Sequence, residues 1–152
     1  AFPQCETENA PWLGETPHEH DFTVSATVTG PLDCSGCVVD FIAARQALKE
    51  LLDAWRGKVF LARHVPWTEY REEPETDETL VVWRGAPERR EYRFETRSIV
   101  WFDAANASAE IVAGELLKAW FERLDFPLSK DEYNATIRLQ EEPGSFAVVS
   151  LR

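Results

Sequence analysis

No stretch of the sequence reaches the ~18 consecutive apolar residues that a membrane-spanning helix needs. No basic segment followed by an apolar one opens the chain, as a secretory leader would. Basic residues are also scarce, since 16 Lys and Arg stand against 27 Asp and Glu, for a formal charge of −11. Nucleic acids are bound by clustered Lys and Arg, and no such cluster is present. We therefore expect a soluble, cytoplasmic protein with neither membrane nor nucleic acid as a partner.

Cysteine is scarce as well, and the three cysteines, Cys5, Cys34 and Cys37, cannot all pair within one chain. The spacing of Cys34 and Cys37 is that of a redox or zinc pair, but Gly36 between them also suits a tight turn. A structural zinc needs two further ligands at matching spacing, and none is evident. A turn and a reversible disulfide or other thiol chemistry both remain open for this segment.

The composition is that of an ordinary globular protein, with 44% hydrophobic and 28% charged residues. The 152 residues suffice to bury roughly two-thirds of the surface that the unfolded chain exposes, so one core forms without disulfide or metal support. No internal repeat or low-complexity tract is present. We expect a single domain over 1–152, with residues 1–17 as an N-terminal arm or loop because they hold three prolines and no periodicity.

Hydrophobic periodicity predicts the first elements. Apolar and polar residues alternate over 22–29, which is typical of a half-buried strand. Apolar residues then recur at three- and four-residue steps from Phe41 to Trp55, which predicts a helix with Asp40 as its N-cap and Gly57 at its end.

Further strands and a second helix follow. Residues 64–79 carry two prolines and six acidic residues, which predicts an exposed and mobile loop. The remaining elements are strands over 58–62, 80–84 and 90–96, a continuation of the last strand over 98–102 beyond a bulge, a helix from Asn106 or Ser108, and a hairpin of strands 133–140 and 146–151. This order predicts an α+β fold with a mainly antiparallel sheet and both helices on one face.

His18 and His20 are two of only three histidines, and they stand one residue apart before the first strand. Residues i and i+2 of a strand point to the same face, so both imidazoles can reach one metal ion. A catalytic zinc needs three protein ligands, so the pair alone is insufficient. A metal site and a solvated turn are both compatible with the spacing.

The segment around this pair resembles the 6-pyruvoyl-tetrahydropterin synthase and 6-carboxy-tetrahydropterin synthase (QueD-like) family. That family has a run close to His-Gly-His-Asn-Tyr, a strand, and then Gly-Met-Val-Val-Asp-Phe. Here the matching residues are 18–22, with the sequence His-Glu-His-Asp-Phe, and 36–41, with Gly-Cys-Val-Val-Asp-Phe. The resemblance implies that His18 and His20 are zinc ligands.

Two glutamates extend the resemblance. Glu110, in Ser-Ala-Glu at the start of the second helix, is similar to the family's Thr-x-Glu-Asn, and Glu141 at a strand end is similar to its Val-x-Glu-Thr. The resemblance implies that both carboxylates bind the pterin ring, whose N–H groups match carboxylate oxygens. Considered without the resemblance, a glutamate at the position of Glu110 usually interacts with the N-terminal end of the helix dipole. A glutamate at the position of Glu141, before Pro-Gly, is usually a solvated turn residue.

The resemblance also has departures. The family has a third zinc histidine in a strand upstream of the pair, and no histidine precedes His18 here. Either the sequence begins after that strand, or the metal site is lost, or His64 supplies the third ligand. The family's catalytic Cys is absent at the usual spacing, but Glu15 fits the variant branch with a Glu-x-x-His-x-His motif, which implies a role in proton transfer. In place of the family's Asp-His relay stands Trp55-Arg56-Gly57, and His64 is the remaining candidate, or else a structural histidine.

The resemblance implies a tunnelling fold (T-fold), in which a four-stranded antiparallel sheet with two helices on one face closes with its neighbours into a barrel. Residues 64–97 exceed the family pattern, which predicts an insertion containing a hairpin. The implied function is a lyase acting with zinc on 7,8-dihydroneopterin triphosphate or a related pterin, in a homo-oligomer of three or six subunits. A metal-free pterin or purine binder and a non-catalytic interaction module are the alternatives.

Overall fold

The computed structural model of the protein describes residues 17–84 and 89–151. Within these ranges the chain forms two α-helices and eight strands, with short 3-10 helices at Thr96–Ser98 and Lys130–Glu132. The elements are β1 (Thr23–Thr29), α1 (Phe41–Trp55), β2 (Val59–Ala62), β3 (Thr68–Glu73), β4 (Glu78–Trp83), β5 (Arg90–Glu95), β6 (Ile99–Phe102), α2 (Ala109–Arg123), β7 (Asn134–Glu142) and β8 (Ser145–Leu151). No helix in the described part of the chain is long and apolar enough to cross a membrane.

The main sheet consists of β1, β7 and β8 in the order β1-β7-β8, with every pair antiparallel. The predicted alternation of β1 is confirmed, because Val24 pairs with Leu139 and Ala26 with Ile137 on the buried face. The threonines and serine of β1 lie on the exposed face. The sheet therefore has one apolar side, which requires a covering layer.

Both helices cover that apolar side. α2 packs against β7 and β8, and α1 packs against α2. Leu116 and Leu117 of α2 are fully buried in the same core as Ile137. The helices are also joined by a buried hydrogen bond, in which Trp120 Nε1–H donates to the carbonyl of Ala44 at 2.8 Å. The α+β class with both helices on one face is confirmed.

The predicted ends of α1 are confirmed. The Asp40 carboxylate accepts hydrogen bonds from the amides of Ile42 at 2.8 Å and Ala43 at 3.1 Å, as an N-cap does. Gly57 follows the helix with φ of 68°, a conformation that glycine adopts without steric cost. α2 begins at Ala109, one residue after Ser108, as predicted.

The pairing of β6 differs from the sequence-based expectation. Residues 98–102 do not continue β5, because the 3-10 turn Thr96–Ser98 intervenes, and β6 instead pairs in parallel with β2. The rings of Phe60 and Phe102 meet edge-to-face at 5.4 Å and face the core. This pair forms a separate sheet in the described residues, so the main sheet there has three strands rather than the expected four.

The prediction of a loop over 64–79 is wrong, since β3 lies within it and forms a hairpin with β4. β4 also pairs with β5, giving a three-stranded antiparallel sheet. Leu80 of β4 is flanked by Arg71 and Arg93, and Arg93 contacts Glu73 across the sheet at 2.6 Å. The aliphatic parts of such arginines cover apolar neighbours while their charges reach water. The charged segment Thr68–Glu73 therefore forms a strand because its partner, β4, supplies the apolar surface.

Candidate functional site

His18 and His20 lie immediately before β1 with their rings in contact. The ring centroids are 4.4 Å apart in an edge-to-face arrangement. His20 stacks on Phe22 at 5.7 Å, and Phe22 in turn stacks on Phe60 at 6.3 Å. The two imidazoles thus share one side of the chain and are tied to the core through Phe22, although the ladder of β1 begins only at Thr23.

Glu141 meets this pair from the neighbouring strand. His20 Nε2 lies 3.1 Å from Glu141 Oε1, and both side chains are about two-thirds buried, with exposed fractions of 28% and 32%. The register of β7 against β8 shifts between Gln140 and Glu142, so Glu141 occupies a bulge. Bulges re-aim side chains near functional sites. The structure therefore brings together a predicted metal ligand and a predicted pterin-binding residue.

The contact also determines what each group can do. The 3.1 Å separation places the Glu141 carboxylate, an acceptor of hydrogen bonds, beside Nε2 of His20. Metal-binding histidines characteristically donate their second ring N–H to a carboxylate, and Glu141 is the carboxylate that lies within reach of Nε2 of His20. Glu141 retains a second oxygen that can accept a further hydrogen bond from a ligand.

Glu110 lies in the first turn of α2, where its recorded contacts are local. Its own backbone N–H and the hydroxyl of Ser108 donate hydrogen bonds that lower the pKa of the Glu110 carboxyl. A carboxylate here also interacts favourably with the N-terminal end of the helix dipole. Among the described residues no hydrogen bond or ion pair that we find joins Glu110 to His20 or Glu141.

His64 pairs with Asp103, a residue that the sequence did not single out. His64 Nε2 lies 2.6 Å from Asp103 Oδ1, at the carboxyl ends of β2 and β6. Both side chains are exposed, at 64% and 87%. The one signal for Asp103 in the sequence is its position directly after an apolar strand. Its contact with His64 follows only from the parallel pairing of β2 and β6. The His64–Asp103 pair follows β2 and β6, whereas His18 and His20 precede β1.

Glu15 lies outside the described residues. Within them, no group of three or more His, Cys, Asp and Glu side chains could hold a metal ion. Two shallow concavities of the described surface, lined by residues 41–49 of α1 and by 72–76, contain none of the predicted site residues.

Cys34 and Cys37 are exposed and free, in a turn closed by Asp33. The Asp33 carboxylate accepts hydrogen bonds from the hydroxyl of Ser35 and the amide of Cys37, and these bonds lower its pKa. Gly36 adopts φ of 81°, which a tight turn of this kind requires. The contacts are those of a turn, and no metal-binding group of three includes these thiols in the described part of the chain.

A family model for 6-pyruvoyl tetrahydropterin synthase matches residues 9–151. The chain belongs to this family. No curated protein gives a significant match.

Solved structures of two Plasmodium synthases are similar to the structure of this chain. The chain is similar to 6-pyruvoyltetrahydropterin synthase of Plasmodium vivax, in a variant described as a catalytic-residue mutant of Glu to Ala, with 21% identity, a TM-score of 0.79, and coverage of 91% of this chain and 83% of that chain. It is similar to the Plasmodium falciparum synthase with 22% identity, a TM-score of 0.78, and coverage of 90% and 82%. The T-fold expectation is thereby confirmed, with the strand arrangement described above.

Proposed function

We propose that this family member is a pterin-processing lyase that acts on 7,8-dihydroneopterin triphosphate or a closely related pterin. The observation that carries the proposal is the 3.1 Å contact between His20 and Glu141. It joins the residue expected to hold zinc to the residue expected to hold the pterin ring. Membership of the family and similarity of fold support the same class of reaction.

His18 and His20 suit two positions of a zinc site. With Zn–N bonds of about 2.0–2.1 Å, two imidazoles on a tetrahedral zinc have ring centroids about 5 Å apart, and the centroids here are 4.4 Å apart. The described residues supply no group of three ligands, so the proposal requires a third from outside them or from a second copy of the chain. Bound zinc would polarise a hydroxyl or carbonyl oxygen of the pterin side chain, which eases proton removal.

The pterin ring is assigned to Glu141 and Glu110. One oxygen of Glu141 lies 3.1 Å from His20, and the other is available to the N–H edge of the aminopyrimidine. Glu110 is ionised at neutral pH, as its pKa is lowered from an ordinary value of 4.5, so it too is an acceptor for that edge. A shared carboxylate would place the ring next to the two histidines.

Proton transfer is assigned to Glu15 and to the His64–Asp103 pair. The P. vivax synthase structures are described as Glu-to-Ala and Glu-to-Cys mutants of a catalytic residue, which supports a glutamate in this role within the family. In the His64–Asp103 pair the carboxylate accepts from Nε2, so Nδ1 is left to receive a proton. With glutamate as the base we propose side-chain cleavage toward 6-hydroxymethyl-dihydropterin rather than a pyruvoyl product.

We assign the working protein to a homo-oligomer of three or six chains. In the described residues β1 and β8 each pair with only one strand, β7, so both edges of the main sheet remain open. Closure of several sheets into a barrel removes such edges and would cover the remaining exposed part of the His20–Glu141 site. Light scattering coupled to size-exclusion chromatography should give a mass of three or six chains.

Metal content and pterin binding test the site. Purified protein should contain near-stoichiometric zinc, and His18→Ala and His20→Ala should each lose most of it. Glu141→Gln should weaken binding of a dihydropterin at least tenfold, because one acceptor of a charge-assisted hydrogen bond is removed. Glu142→Gln is the matched control, since that neighbouring side chain is exposed and should leave both quantities unchanged.

Each outcome separates the proposal from an alternative. Zinc-free protein with tight, Glu141-dependent pterin binding indicates a metal-free binder. Absence of pterin binding in the zinc-loaded wild type indicates an interaction module on the same fold, and either result contradicts the lyase proposal.

A further inference from the structure

The His64–Asp103 pair depends on the backbone of two strand ends. β2 and β6 run in parallel, with Ala62 opposite Phe102. Beyond the strands the contact continues, because the amide of Arg63 donates to the carbonyl of Phe102 at 2.9 Å and that of His64 to the carbonyl of Ala104 at 3.0 Å. Both members of the pair are exposed, so no surrounding side chains enclose them. Their relative position is therefore determined by how well these two strand ends are held.

Tyr70 of β3 contacts both strand ends. Its hydroxyl donates to the carbonyl of Ala62 at 2.6 Å, two residues before His64. Its ring packs edge-to-face on Trp101 at 4.8 Å, two residues before Asp103. One side chain thus bridges the strand that carries the histidine and the strand that carries the aspartate.

Further contacts fix this bridge. The guanidinium of Arg63 lies over the ring of Trp101 at 4.7 Å, which ties the β2 end to β6 a second time. Burial raises the pKa of Tyr70, so its hydroxyl remains a hydrogen-bond donor. The other face of the β2–β6 pair carries Phe60 and Phe102, which pack in the core. The strand ends are consequently held between the core and the β3–β4–β5 sheet.

We propose that Tyr70 is a positioning residue for the His64–Asp103 pair, and that the β3–β4–β5 sheet serves to hold this pair in place. The catalytic consequence rests on the proposed function, in which His64 handles a proton, whereas the geometric consequence does not. Tyr70 touches neither substrate nor proton and acts only through the backbone of Ala62 and the ring of Trp101.

Tyr70→Phe in the full-length protein tests the geometry. This change removes only the hydroxyl and its bond to Ala62. Nitrogen-15 NMR of the imidazoles should show His64 mainly as the Nε2–H tautomer in the wild type, and the variant should shift toward the mixture of a free imidazole. Tyr92→Phe is the matched control, because Tyr92 lies on β5 of the same sheet and its recorded contact is stacking on Phe94. A His64 spectrum unchanged in Tyr70→Phe overturns the proposal.

Turnover tests the catalytic consequence separately. A hydrogen bond of this kind changes an equilibrium by a factor of about 2 to 12, so Tyr70→Phe should lower kcat by up to about tenfold with KM unchanged. In an Asp103→Ala background the same change should have no effect, because the acceptor of the pair is already removed. Equal losses in both backgrounds overturn the proposal. A wild type without any turnover contradicts the proposed function instead, and the NMR result then decides the role of Tyr70 alone.

Discussion

Substitution of Gly30 by alanine should destabilise the protein, because the ring of Tyr133 packs directly on this glycine. A Cβ built at Gly30 would lie 2.3 Å from Cδ1, 2.8 Å from Cε1 and 3.0 Å from Cγ of Tyr133. Tyr133 is fully buried, so its ring has no room to withdraw. The backbone of Gly30 does not have a positive φ, so the effect is steric and not conformational.

The size of the effect follows from the overlap. Overpacking in a buried site costs about 1–3 kcal/mol, and a 2.3 Å contact with an immobile ring belongs at the upper end. For a chain of this size about 2–4 °C of Tm corresponds to each kcal/mol, so the Tm should fall by about 6–12 °C. Thermal and urea unfolding followed by circular dichroism measure both quantities.

Gly114→Ala is the matched control, because the same substitution there should raise the stability instead of lowering it. Gly114 lies inside α2 and a Cβ there meets nothing within 4 Å. Alanine is favoured over glycine in a helix by about 0.5–1 kcal/mol, so this variant should be more stable than the wild type. If Gly30→Ala unfolds at the wild-type temperature, the packing of Tyr133 on Gly30 is refuted.

Two further substitutions test the electrostatics and the helix contact. Glu110→Gln should lower stability at neutral pH, because the folded pKa of Glu110 is depressed below its ordinary value of 4.5. The stabilisation is present above that value and is lost as the pH falls through the folded pKa, so urea midpoints of the two proteins should converge in acid; a difference that persists there contradicts the assignment. Trp120→Phe removes the buried hydrogen bond to Ala44 and should cost about 2–3 kcal/mol in urea unfolding. A loss under ~0.5 kcal/mol, as at an ordinary surface position, would show that this bond does not join the helices.

The elements that sequence reasoning predicted well are those with a local cause. β1 alternates strictly, and α1 has apolar steps between an N-cap at Asp40 and a stop at Gly57. β3 was missed because its charged residues become a strand only beside the apolar β4. The pairing of β6 with β2 was missed because it joins residues about 40 positions apart, which periodicity does not encode.

In the candidate site, too, individual residues were predictable from the sequence, whereas the contacts between them were not. His20 and Glu141 were each identified from a resemblance, but their contact depends on the bulge in β7, which no local pattern predicts. Asp103 was overlooked because an exposed aspartate after a strand is common, and only the parallel pairing places it beside His64. Glu15 stays a prediction, because it lies outside the described residues.

The most direct test of the account is the product that the zinc-loaded wild type forms from 7,8-dihydroneopterin triphosphate, identified by chromatography and mass spectrometry. We expect substrate to disappear and 6-hydroxymethyl-dihydropterin to accumulate, with the rate lowered strongly in Glu141→Gln. Unchanged substrate in a zinc-loaded, folded preparation would contradict the assignment of this family member as a pterin lyase.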